Sequence, residues 1–204
     1  MTTARIERME QKRLFVGFPV EISASLQAAL KKTKIRAQQK QMEVNWIQNS
    51  NFHVTLFFLG ETDIDRIPEL QQILKTVALN TPPLKTTLRG MGGFPEERHM
   101  RVMYVGVRLS RALAEFQMQL QSALKDAGFR YEDRSYQPHL TVARLRKARS
   151  GTDLLSPYVR NTFGDITVGG FVLYESVSLG SYPVYQALRG FELCGEIPQY
   201  AESV

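Results

Sequence analysis

The chain has 204 residues, 43% hydrophobic and 23% charged, which suits one domain or two small half-domains sharing a core, with no need of disulfides or a structural metal. No apolar run approaches the roughly 18 residues of a membrane-spanning helix, so the composition excludes a membrane protein, a collagen, a disordered chain and a disulfide scaffold. The net charge of +6 and pI of about 9.5 are compatible with a phosphate-bearing or nucleic-acid partner, without requiring one.

Met1 to Arg13 is polar, mixes Arg and Lys with Glu7 and Glu10, and has no apolar core of a secretory signal. Residues 1–12 read as a frayed tail and the protein as cytoplasmic. Arg13 to Phe18 is a strand ended by Pro19. Ile22 to Ile35 reads as a helix with Ile22, Leu26, Ala29 and Leu30 on one face and Ser23 or Ser25 as cap. Val44 to Ile47 is a short strand, Asn49 to Asn51 a turn, and Phe52 to Leu59 a strand that Gly60 terminates. A second helix covers Ile64 to Leu79, stopped by Thr81-Pro82-Pro83. Thr86 to Leu88 is a strand and Gly90 to Arg98 a loop. Val102 to Leu109 is a strand, and Arg111 to Ala127 a helix ended by Gly128. Pro138 to Leu145 is a strand, Leu154 to Asn161 helical or irregular, Asp165 to Ser178 one or two strands, and Tyr185 to Phe191 another. The lone Cys194 excludes an intramolecular disulfide and a cysteine-rich metal site.

The pattern repeats. Phe15-Val16-Gly17-Phe18 precedes a helix and then His53-Val54-Thr55-Leu56. Tyr104-Val105-Gly106-Val107 precedes a helix and then His139-Leu140-Thr141-Val142. The repeat predicts two similar halves, about 13–90 and 91–195, related by a pseudo-twofold. Residues i and i+2 share a face of a strand, so each His projects with its Thr while Val54 and Leu140 point the other way. Facing halves would bring two imidazoles and two hydroxyls into one cleft. Two imidazoles near a pKa of about 6.5 can act as general base and general acid in one turnover, and threonine hydroxyls can donate to phosphoryl oxygens. Metal binding competes for the same residue type, but neither motif has a third ligand at short spacing; Asp63, Asp65 and Asp133 lie outside them. No phosphate-cradling glycine loop or nucleophile elbow is present.

The twin His-x-Thr motifs resemble the HxTx signature of the 2H (two-histidine) phosphoesterase superfamily. Within it the chain is most similar to the bacterial and archaeal RNA 2′,3′-cyclic phosphodiesterases, also called 2′-5′ RNA ligases. RLFVGF (13–18), NFHVTLFFLGE (51–61), GGFPEERHMRVMYVGV (92–107), PHLTVARL (138–145) and FVLYES (171–176) carry the resemblance, which spans about residues 12–193. It implies a bilobal, duplicated α+β fold, with two pseudo-twofold-related antiparallel sheets lining a central cleft and helices outside. It implies cofactor- and metal-independent hydrolysis of RNA 2′,3′-cyclic phosphate ends to 2′-phosphate, on tRNA fragments among other RNAs, by a monomer. His139 would activate the water, His53 would protonate the departing 3′-oxygen, and Thr55 and Thr141 would hold the phosphate. Relatives also join RNA ends through a 2′-5′ bond.

The resemblance also expects Arg144 near the phosphate. Strand parity disagrees: Arg144 is five residues from His139 and reaches the site only if the strand ends or bulges near Ala143. The alternative is a solvated charge beside Arg146 and Lys147. His99, in a charged loop without Thr at +2, reads as a solvated loop histidine. Trp46 and Tyr136 are candidate base-stacking residues, with core packing as the alternative, also weighed for Phe15 and Tyr174. The basic runs Arg144–Arg149 and Lys31–Lys40 could track an RNA backbone or be solvated surface. Rival functions are a 2H enzyme for a small cyclic nucleotide or 2′-5′ oligoadenylate, and a non-catalytic RNA-binding module.

Overall fold

Ser23 sets where the first helix begins: its hydroxyl accepts from Leu26 N and, from the same position, donates to the carbonyl of Phe163. The computed structural model describes residues 10–130, 135–179 and 182–196; most of the expected tail, and Asp133, lie outside them. In chain order the elements are β1 (Gln11–Pro19), α1 (Ala24–Gln39), β2 (Val44–Trp46), β3 (His53–Asp63), α2 (Ile67–Leu79), β4 (Leu84–Phe94), β5 (Met100–Val107), α3 (Arg111–Asp126), β6 (His139–Arg149), α4 (Thr152–Leu155), β7 (Thr162–Val168), β8 (Gly170–Leu179) and β9 (Tyr182–Glu192).

The strands form one antiparallel path, β7-β4-β5-β6-β3-β1-β8-β9, with β2 added to β6. Its two four-stranded halves meet at β3 and β6, where a single residue pair, Val54 with Leu140, closes the ladder. Both are fully buried. Beyond that pair β6 turns its edge to β2, through Val44–Leu145, Asn45–Arg144 and Trp46–Ala143. The helices pack on the sheet: α1 against β7 and α4, α2 against β9 and α3, and α3 also against β3 and β4. One apolar cluster runs from Leu14 to Leu193 and joins both halves. The halves in space are not the halves in sequence, because the C-terminal β8 and β9 pair onto β1 beside the N-terminal strands.

Several boundaries differ from the sequence expectation. Gly60 does not end its strand. It sits inside β3 at φ +71°, where Leu14 pairs with Gly60 but Phe15 with Phe58, leaving Leu59 extra. The glycine supplies the left-handed residue of a bulge rather than a stop. The expected loop from Gly90 is mostly strand: β4 runs to Phe94 and pairs with β5 from Leu88 onward, with Gly90 left out of the ladder at a bulge. Gly92 is there for space, since a Cβ would come within 2.5 Å of the Tyr104 ring. The second helix starts at Ile67, after a 3₁₀ turn over Ile64–Arg66.

Candidate active site

The antiparallel register that pairs Val54 with Leu140, continued one step each way, sets His53 abreast of Thr141 and Thr55 abreast of His139. Side chains alternate, so Val54 and Leu140 go into the core while the four polar residues share the opposite, partly exposed face.

Each histidine is oriented alike. His53 Nδ1 lies 2.9 Å from the carbonyl of Asn51 and His139 Nδ1 2.8 Å from that of Gln137. A carbonyl only accepts, so both Nδ1 atoms carry the proton and donate, and Nε2 is left on each ring for chemistry. Aromatic rings enclose both. Phe15 (5.0 Å between centroids), Tyr174 (5.6 Å) and Tyr185 (4.9 Å) surround His53; Phe94 (4.9 Å) and Tyr104 (5.7 Å) flank His139. Burial among these rings pushes both pKa values below the ordinary histidine value. The backbone hydrogen bonds oppose that shift, and the Arg144 cation reinforces it on both rings. His53 is lowered further by His139.

Arg144 reaches this face because β6 bulges. Met103 pairs with Ala143 and Tyr104 with Thr141, so Val142 is an extra residue and the alternation shifts by one. Val142 and Ala143 are both buried and Arg144 returns to the side of His139 and Thr141. The parity objection is thereby removed by a bulge one residue before Ala143. Arg144 Nε is buried without a hydrogen-bond partner among the described residues, an expensive state for a charged donor unless an anion completes it. The first motif has the same bulge: Val16 pairs with Phe57 and Gly17 with Thr55, leaving Leu56 extra and bringing Phe58 to the position that Arg144 holds in the second.

The other sequence candidates divide. Tyr136 borders the site: its hydroxyl donates to the Thr55 carbonyl at 3.1 Å, and burial raises its pKa. Trp46 is turned away. It pairs with Ala143, so it shares that residue's buried face and not Arg144's, and Lys34 Nζ covers its ring at 5.3 Å. His99 is exposed in a 3₁₀ turn. Among the described residues no three His, Cys, Asp or Glu side chains gather as a metal site, Cys194 is exposed and unpaired by disulfide, and no helix is long and apolar enough to cross a membrane. Sequence reasoning missed Tyr185, Phe94 and Tyr104 around the histidines, and the Asn51 and Gln137 carbonyls that orient them. The repeated spacing of two residues before each His was the available signal, but a carbonyl has no residue-type signature.

A duplicated antiparallel sheet whose seam joins one His-x-Thr strand from each half defines the two-histidine class of α+β proteins. The chain belongs to the 2′-5′ RNA ligase superfamily, whose profile matches residues 19–178. It is 31% identical over 185 residues to an Archaeoglobus fulgidus protein named RNA 2′,3′-cyclic phosphodiesterase, covering 88% of this chain and 99% of that one. A Thermotoga maritima protein of the same name is 26% identical, over 93% of this chain and all of its own length. The crystal structure of a Thermus thermophilus protein superposes with a TM-score of 0.74 at 25% identity, covering 91% of this chain and 100% of that one.

Proposed function

We propose that this chain hydrolyses RNA 2′,3′-cyclic phosphate ends to 2′-phosphates by paired-histidine acid–base catalysis without a metal. One observation carries the reading: two histidines across one seam, each with Nδ1 tied to a backbone carbonyl and Nε2 left over, with the buried Arg144 Nε, unpartnered among the described residues, beside them. The names of the Archaeoglobus and Thermotoga relatives support the substrate.

In this scheme Arg144, Thr55 and Thr141 hold the phosphoryl oxygens. His139 Nε2 takes a proton from water as its oxygen bonds to phosphorus. The bond to the 3′-oxygen breaks, and His53 Nε2 supplies the proton that oxygen needs. The product is a 2′-phosphate monoester with a free 3′-hydroxyl. The two histidines have then exchanged charge states, and solvent resets them. Positioning and charge stabilisation supply the rest of the rate. Burial lowers both histidine pKa values in the free protein, and the phosphate anion, once bound, favours the charged form of the ring that serves as acid. Microscopic reversibility allows the converse, an RNA 5′-hydroxyl replacing water to give a 2′-5′ bond. Exposed Arg146, Lys147 and Arg149 continue from Arg144 along β6 and suit an RNA backbone.

The test is hydrolysis, in EDTA, of a short RNA ending in a 2′,3′-cyclic phosphate. Wild type should release the 2′-phosphate isomer, and His53→Ala and His139→Ala should each lose roughly 10²-fold or more. Absence of turnover, a 3′-phosphate product, or activity surviving in both variants rejects the mechanism.

A further inference from the structure

The register of the sheet sets Arg89, Gly106 and His139 in one row across β4, β5 and β6. Cross-strand partners share a face, so Arg89 projects on the side of His139, two strand spacings or about 10 Å from it. Gly106 between them carries no side chain, and a Cβ there would come within 2.6 Å of the Arg89 carbonyl oxygen. A trough of about 500 Å³ opens over this glycine. It runs from Tyr104 and Gln137, which both flank His139, to the exposed Arg89 and Arg108, with Leu109 and Val159 on its rim. We propose that this trough is an acceptor subsite: it seats a nucleoside with a free 5′-hydroxyl, and Arg89 and Arg108 hold the phosphate on that nucleoside's 3′-oxygen. This rests on the reading that His139 serves the attacking oxygen and His53 the departing one.

Three features favour this occupant. The first is direction. In an in-line displacement the attacking and departing oxygens lie on opposite sides of phosphorus. His53 stands by the departing 3′-oxygen, so whatever the attacking oxygen carries extends past His139, away from β3. The trough lies on that side, over β5 and β4. Water needs no such room, whereas a nucleoside does. The second feature is charge. Two exposed arginines at the far end suit a phosphate one nucleotide beyond the reacting one, which Arg144 serves. The third is the mixed character of the middle. Leu109 and Val159, each 47% exposed, offer apolar surface. Glu97 lines the trough beside Tyr104, and burial, with that carboxylate, raises the Tyr104 pKa and keeps the phenol protonated. Carboxylate and phenol give an acceptor and a donor for ribose hydroxyls. In the step itself the 5′-oxygen bonds to phosphorus and gives its proton to His139 Nε2. The bond to the 3′-oxygen breaks, and that oxygen takes a proton from His53 Nε2. A 2′-5′ diester with a free 3′-hydroxyl results, and the converse step cleaves it back to the cyclic phosphate.

The experiment runs the converse step on two 2′-5′-linked adenosine dinucleotides, with and without a phosphate on the 3′-oxygen of the 5′-linked nucleoside. Wild type should cleave the phosphorylated one with the higher kcat/KM. An exposed charge pair accounts for about 1.4- to 5-fold, so the Arg89→Gln, Arg108→Gln double variant should cut that preference by roughly 2- to 25-fold, and each single variant by less. Lys75→Gln, which removes an exposed charge on α2, should leave it as it is. No preference in wild type, or one unmoved in the double variant, overturns the subsite. Hydrolysis of adenosine 2′,3′-cyclic phosphate with and without a 5′-phosphate tests the other end of the RNA. If the double variant loses that preference instead, the trough holds the chain upstream of the cyclic phosphate and the acceptor reading falls. Equilibrium binding of the two dinucleotides to the same proteins decides the subsite separately: a phosphate-dependent difference lost in the double variant supports it, and one that persists rejects it. If wild type neither cleaves the dinucleotides nor hydrolyses the cyclic phosphate, the catalytic reading has failed, and the binding comparison still rules on the trough.

Discussion

Arg144→Met should move activity and stability in opposite directions. The substitution keeps the length and apolar stem of the side chain and removes the guanidinium. Among the described residues Arg144 Nε is buried with no hydrogen-bond partner. An unsatisfied buried donor costs about 1–3 kcal/mol, so its removal should leave the fold unharmed or more stable by about 1 kcal/mol. Loss of one preorganised donor to developing charge costs about 2.7–4 kcal/mol, or roughly 10²–10³ in kcat. Arg144 also holds both histidine pKa values down. Without it both should rise, so the alkaline limb of kcat/KM, where the free enzyme loses its last imidazolium, should move to higher pH. The assays are kcat/KM on adenosine 2′,3′-cyclic phosphate between pH 4.5 and 9, and urea unfolding at pH 7.5. A variant that keeps kcat/KM within threefold, or that is destabilised by more than 1 kcal/mol, refutes the reasoning, because Arg144 would then be a structural residue.

The depressed histidines predict acid sensitivity. Their neutral forms are favoured by folding, so the stability they contribute is fully present above the unfolded value of about 6.5 and is lost as pH falls through the lower folded values. Urea midpoints should therefore drop from pH 7.5 to pH 5, less steeply in a His53→Gln, His139→Gln double variant; parallel slopes would contradict this. Leu140→Ala, at the fully buried seam, should cost about 2–5 kcal/mol in urea unfolding. Ser23→Ala removes an N-cap and should cost about 1 kcal/mol, with Ser23→Asn recovering part of it; an unchanged melting temperature would show that the cap is idle. Tyr136→Phe deletes the hydroxyl on the Thr55 carbonyl and should cost about 1 kcal/mol, read in the same unfolding assay.

Much of this was legible because a strand has a period of two. His53 with Thr55, and His139 with Thr141, could be placed on common faces from the residue order alone. The same rule misplaced Arg144, because a bulge at Val142 breaks the period and bulges have no fixed residue signature. The first helix start was readable, as Ser23, one of the two serines considered, caps it; Ser110, which caps α3 in the same way, went unread. Glycines misled: Gly60 and Gly90 take positive φ within strands, and Gly92 makes room for Tyr104, so none of them marks a chain break. Matching Gly17 to Gly106 also proved inexact. Gly17 pairs with Thr55 but Gly106 with His139, so the first strands of the two repeats differ by two residues in register. A slip of two preserves faces, which is why the motif repeat survives it.

The interleaving of the strands has a consequence for how the chain is made. The half holding His139 is built from β4 to β7, a continuous stretch from Leu84 to Val168, and can be completed by neighbours in sequence. The half holding His53 needs β8 and β9, which begin at Gly170, to pair with β1 at the other end of the chain. Long-range pairings close late because the loop entropy must be met first. During synthesis β1 therefore waits with an open edge while the later half assembles, and Tyr174 and Tyr185 reach the His53 ring only as the C-terminal hairpin docks.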